Sequence, residues 1–235
     1  MTHTIAGEPV SSPNNGKTLR ILQLYPKDMN IYGDWGNPLA LARRAHAHGF
    51  DVEILDYNPG DTFPDDVDII IGGGGQDSGQ TVIQEDLHAI GAKLKKNAED
   101  GMPMLVICGL YQLFGKEFRT HEGETLKGIN IFDAYTVGGN ERLIGNIVED
   151  SQEFGTIVGF ENHSGLTYLG AGCEPLATVT KGVGNNSTDH HEGARVHNVV
   201  GTYLHGSLLP KNPKISDYLI KAAAQRKYGE FTPEK

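Results

Sequence analysis

The stretch PMLVICGLYQLFG, Pro103 to Gly115, reads as an apolar strand that ends at Ile107, followed at once by Cys108 and by a helix opening at Gly109. A nucleophile on such a strand-to-helix turn stands above the carboxyl edge of a parallel sheet, where open α/β folds bind their ligands. The start of a helix favours the thiolate that does the attacking. The Gly109 amide is placed to donate to an oxyanion, and the missing side chain lets a substrate approach closely. Isolated cysteines are usually core residues, and that is the reading for Cys173 in the loop AGCEP. Cys108 is set apart by its place at a strand end, which predicts a nucleophile.

Outward from this turn, the pattern alternates between strands and helices. Leu19 to Tyr25, Asp51 to Tyr57, Val67 to Ile71 and Met104 to Ile107 read as strands. Asn37 and Pro38 offer a cap and first turn for a helix that stops at Gly49. Gln84 to Asp100 places Leu87, Ile90 and Leu94 on one helical face, with Gly101 as the stop. The alternation predicts a doubly wound, mostly parallel sheet flanked by helices, an α/β fold of the flavodoxin-like kind. Further strands are expected at Ile144 to Val148, Thr156 to Phe160 and Val196 to Tyr203, and a closing helix at Lys211 to Tyr228. One domain over 19–228 is expected, between a flexible polar arm at 1–18 and a short tail at 229–235.

Composition narrows the function. A formal charge of −10 over 235 residues argues against nucleic-acid binding, which needs clustered Lys and Arg. No apolar run reaches the roughly 18 residues of a membrane span. The polar start of the chain lacks the basic and apolar blocks of a secretion signal, which favours a cytoplasmic protein. Two isolated cysteines make neither a disulfide framework nor a thiolate zinc site.

Two more segments carry chemistry. Gly72-Gly73-Gly74-Gly75-Gln76-Asp77 follows a strand, as phosphate-binding loops do. It has neither the Gly-Lys-Ser/Thr of a P-loop nor a G-x-G-x-x-G spacing. The loop can instead supply a second oxyanion amide, from Gly74 or Gly75. His205, in Tyr203-Leu204-His205-Gly206, falls just past a strand end on the expected edge, and His163 is the rival base. Asp189-His190-His191-Glu192 could suggest a metal, but adjacent histidines point apart and a solvated loop is the default. No metal is assigned.

The segments VICGLYQLFG (106–115), GGGGQD (72–77) and YLHG (203–206) resemble the class I glutamine amidotransferases of the cobyric acid synthase branch. MNIYGD (29–34), NERLIGN (140–146) and GFENH (159–163) narrow the resemblance to the glutaminase subunits of lipid II isoglutaminyl synthases, over about residues 19 to 226. The resemblance implies Cys108 as nucleophile, His205 as general base, and Arg142 and Gln112 as contacts to L-glutamine. A guanidinium suits an α-carboxylate, which it grips with two parallel hydrogen bonds. It implies no cofactor in this chain. The partner would be a Mur-ligase-like subunit that uses ATP and Mg²⁺ to amidate the D-glutamate of lipid II, bringing the heterodimer to the inner membrane face. Many class I relatives carry a glutamate two residues after the histidine; here that position is Ser207, so either another group orients His205, a carboxylate of the partner being one source, or Cys108 and His205 work as a dyad. The alternatives are an amidotransferase for a cobalamin-type synthetase, or a glutamine-binding module with an inert cysteine.

Overall fold

The structure is a computed structural model that describes residues 2–4, as backbone only, and 14–233. In chain order the strands are β1 (Thr2–Thr4), β2 (Thr18–Leu24), β3 (Asp51–Tyr57), β4 (Ile69–Gly72), β5 (Met104–Ile107), β6 (Glu117–Arg119), β7 (Thr125–Lys127), β8 (Ala134–Ser151), β9 (Gly155–Leu169), β10 (Ala177–Lys181), β11 (His191–Glu192), β12 (Ala194–Val196), β13 (Val199–Thr202) and β14 (Leu204–His205). The helices are α1 (Gly36–Ala47), α2 (Asp77–Glu99), α3 (Gly109–Phe114), α4 (Leu208–Lys211) and α5 (Pro213–Tyr228).

One sheet runs β1-β3-β2-β4-β5-β13-β12, its five inner strands parallel and its two outer ones antiparallel. β4, β5 and β13 are buried at every position, as strands covered on both faces must be. Helices α1 and α5 pack on each other and on this sheet, while α3 packs on β5 and β13 and α2 packs on α3. The second sheet runs β11-β10-β8-β6-β7 and is extended by the long hairpin of β8 with β9. β14 joins the two sheets by pairing Leu204 with Glu161 and His205 with Phe160 on β9. Among the described residues, no helix is long and apolar enough to cross a membrane.

Several expectations need correction. Asn37 is not the cap of α1 but lies inside it, and its Oδ1 accepts the amide of Leu209 at 3.0 Å. α2 begins at Asp77, well before Gln84, because the glycine loop leads straight into its first turn. Val196 to Tyr203 is not one strand: it is the hairpin of β12 and β13, turned at His197 with φ 50°. Part of the arm at 1–18, Thr2–Thr4, lies along β3 as an edge strand, and residues 5–13 lie outside the described residues.

Candidate active site

In the first sheet β2, β4, β5 and β13 are neighbours, and all four run in one direction. Their carboxyl ends therefore present four chain segments side by side: 25–35, the 72–77 loop, Cys108 and 203–205. Residues far apart in sequence meet there because parallel strands put their ends on one edge.

Cys108 sits at φ 49° and ψ −103°, a region that residues with a side chain seldom occupy. Holding it there costs about 1–3 kcal/mol. The surroundings impose it: the Cys108 amide donates to Thr202 O at 2.8 Å, and the Cys108 carbonyl accepts the first helical bond of α3 from Gln112 at 2.9 Å. The thiol is thereby turned out of the sheet toward His205.

His205 is fully buried, and its ring stands beside Cys108: a side chain on Gly74 would meet His205 Cε1 at 2.7 Å and Cys108 Cβ at 3.0 Å. Burial works against its charge, yet the negative charge of Cys108 and the carboxylate of Asp34 outweigh it and lift the ring to about 10. Its Nδ1 lies 3.5 Å from Oδ1 of Asp34, itself only 2% exposed. That is an ion-pair contact rather than a closed hydrogen bond. With Nδ1 facing Asp34, Nε2 is left for the thiol. Thiol, imidazole and carboxylate thus form a line, and the carboxylate comes from this chain. Ser207 takes no part in it: its hydroxyl donates to Gly33 O at 2.7 Å.

The structure separates the two oxyanion candidates on the glycine loop. Gly74 is corrected: its amide donates to Oδ2 of Asp34 at 2.7 Å and is not free for a substrate oxygen. A side chain there would also run into His205 and the Cβ of Cys108, so this position has to be glycine. Gly75 N lies 3.1 Å from where a side chain on Gly109 would begin, which brings the amide of Gly75 close to the Gly109 backbone.

The other predicted residues surround this line. Arg142 is at the mouth, in the irregular stretch of β8 between Gly138 and Leu143. Its Nε donates to Asn162 Oδ1 at 2.5 Å and its Nη2 to the Tyr32 hydroxyl at 2.9 Å. Gln112 is buried beneath the elbow; its Oε1 accepts Gln80 Nε2 at 2.8 Å and its Nε2 donates to the Tyr203 hydroxyl at 3.1 Å. In this state both ends of that amide are used inside the protein. His163 lies flat on the Tyr203 ring at 3.6 Å, with Nδ1 2.7 Å from Gly165 O. Burial pushes it down to about 4, so it is neutral where His205 is charged. Cys173 is buried, and burial pushes its thiol up to about 11, as suits an unreactive core residue. Glu192 departs from the solvated-loop reading of 189–192. It is fully buried and accepts Thr202 Oγ1 at 3.0 Å and the Tyr203 amide at 2.7 Å.

Residues 20–213 match the CobB/CobQ-like glutamine amidotransferase domain. The chain belongs to that family. This CobB/CobQ-like amidotransferase is 45% identical to the glutamine-hydrolysing lipid II isoglutaminyl synthase subunit GatD of Staphylococcus aureus, over 92% of this chain and 89% of the relative. It is 36% identical to the subunit of the same name from Streptococcus pneumoniae, over 90% of this chain and 83% of the relative. A crystal structure of a glutamine amidotransferase superposes with a TM-score of 0.61 at 16% identity, over 86% of this chain and 98% of the other, a likeness of fold. The doubly wound α/β class is that of the class I glutamine amidotransferases, and the chain is a glutamine amidotransferase.

Proposed function

We propose that this chain is the glutaminase subunit of a lipid II isoglutaminyl synthase, a cytoplasmic heterodimer that works at the inner membrane face. The observation that carries the chemistry is the line Cys108–His205–Asp34 across the sheet edge, with Arg142 at its mouth. The names of the two bacterial relatives point the ammonia toward the peptidoglycan precursor.

In this reading the α-carboxylate of L-glutamine sits on Arg142, and the Cys108 thiolate adds to the side-chain amide carbon. The oxyanion rests on the amides of Gly109 and Gly75. His205 gives its proton to the departing nitrogen as the C–N bond breaks, so ammonia and a thioester result. The neutral ring then takes a proton from water, whose oxygen attacks the thioester and releases glutamate and the thiolate. Gln112 acts from below, holding the floor of the pocket through Gln80 and Tyr203. The partner is a Mur-ligase-like subunit that uses ATP and Mg²⁺ to activate the D-glutamate carboxylate of lipid II. No cofactor is assigned to this chain.

The test is an isotope transfer. The chain, reconstituted with that partner, lipid II, ATP and Mg²⁺, is given glutamine labelled with ¹⁵N at its side-chain amide. The expected product is lipid II bearing ¹⁵N on the α-carboxamide of D-glutamate. Label reaching a cobyrinic acid acceptor with a cobalamin-type synthetase, and not lipid II, would refute the acceptor. No glutamate formed with either partner would refute the enzyme.

A further inference from the structure

The thiol–imidazole pair is closed off: His205 has no exposed surface and Cys108 has 8%. What covers this pair therefore governs how readily a glutamine amide reaches the sulfur. One cover is the single 3₁₀ turn Ile31–Gly33. Its Tyr32 ring stands edge-on to the His205 ring, with centroids 5.0 Å apart. The turn is pinned at both ends, by Ile31 N to Gly74 O at 3.0 Å and by the Ser207 hydroxyl to Gly33 O at 2.7 Å. Between these pins Tyr32 takes φ 57°, an unfavourable value for an aromatic residue, and the residue remains 44% exposed. Its hydroxyl is held by Arg142 Nη2, the donor group expected to grip the substrate carboxylate.

We propose that Tyr32 is a gate latched by Arg142, its hydroxyl standing where an oxygen of the glutamine α-carboxylate binds. This rests on the amidotransferase reading of the site and deepens it. With Nε of Arg142 held by Asn162, an incoming carboxylate competes with Tyr32 for the outer Nη donors. It wins because a charged acceptor makes a bond about twice as strong as a neutral one. Once released, the strained turn has no reason to keep the ring over His205, and the pocket opens. Carboxylate recognition and access to the thiol become one event, so an amide lacking the α-carboxylate leaves the gate shut.

The test uses Tyr32→Phe, which keeps the ring and removes the latch, and Tyr32→Gly, which removes both. Glutamine binding is measured by calorimetry in a Cys108→Ala background, where no turnover intervenes. Adding Tyr32→Phe is expected to tighten Kd threefold to tenfold, since the competitor for Arg142 is gone. An unchanged or weaker Kd overturns the latch. Separately, in the chain with Cys108 intact, iodoacetamide, small and uncharged, is expected to alkylate the Cys108 thiol at least fivefold faster in Tyr32→Gly than in the unsubstituted chain, with Tyr32→Phe between them. Equal rates overturn the gate. This second arm needs no glutamine, so it decides the gate even if Cys108→Ala fails to bind glutamine, a result that would count against the amidotransferase reading instead.

Discussion

Replacing Asp34 with asparagine is expected to lower kcat for glutamine hydrolysis by about two to four orders of magnitude, the scale seen when the carboxylate of a hydrolase triad is lost. The physical reason lies in the two oxygens. Oδ2 accepts the Gly74 amide, which an asparagine oxygen can still do. Oδ1 faces Nδ1 of His205, and an amide NH₂ there would meet a ring N–H. The imidazole would then place its proton on Nε2, the nitrogen that must accept from the thiol and from water. Support for the charged ring would go as well, because the Asp34 carboxylate helps to hold His205 up near 10. KM is expected to move little, since Asp34 touches no part of glutamine in this scheme. Two measurements separate positioning from a loss of fold. The Cys108 alkylation rate at neutral pH should fall with kcat, while the melting temperature should change by far less than unfolding requires. A kcat within threefold of the unsubstituted chain in Asp34→Asn would sink the assignment and return the third position to the partner subunit.

What the sequence revealed and what it hid follow from distance along the chain. The elbow was legible because strand, cysteine and glycine are adjacent, and the burial of both faces of β4 and β5 follows from their unbroken apolar runs. His205 was legible because β13 ends just before it. Asp34 was not. It lies in a loop after β2, and only the neighbouring of β2 and β4 in the sheet brings that loop over Gly74. The motif MNIYGD carries the family likeness, but no residue type or spacing within it marks Asp34 for a role. The hairpin turn at His197 hid for a different reason: Val196 and Val199 flank only two residues, neither of them glycine, and the run passes for one strand. Glu192 is hidden from a sequence reading because charged residues are mostly exposed, and the exception depends on partners that composition does not display.

Those partners lead to the other large effect, on stability rather than on rate. Three glutamates meet inside the second sheet. Glu161 accepts the amides of Val183 at 2.9 Å and Gly184 at 2.8 Å, and Glu192 holds Thr202 and the Tyr203 amide. Glu149 is fully buried and lies against Glu192. Burial first, and then the charge of Glu192, hold Glu149 well above an ordinary 4.5. The folded protein therefore keeps a proton that the unfolded chain releases above pH 4.5. Stability from this group is complete below pH 4.5 and is lost as pH rises toward the raised value of the folded state. Glutamine at position 149 keeps the shape and puts a neutral amide beside Glu192, with nothing to titrate. Glu149→Gln is expected to be more stable than the unsubstituted chain by about 2 kcal/mol at pH 8, which at this chain length raises Tm by roughly 4–8 °C. At pH 5 the advantage should nearly vanish. Urea unfolding at the two pH values checks both the sign and the window. If the two proteins lose stability equally between pH 5 and pH 8, Glu149 is ionised in the fold. Glu192 would then be holding the backbone beside His205 against a neighbouring charge rather than with the help of a neighbouring proton.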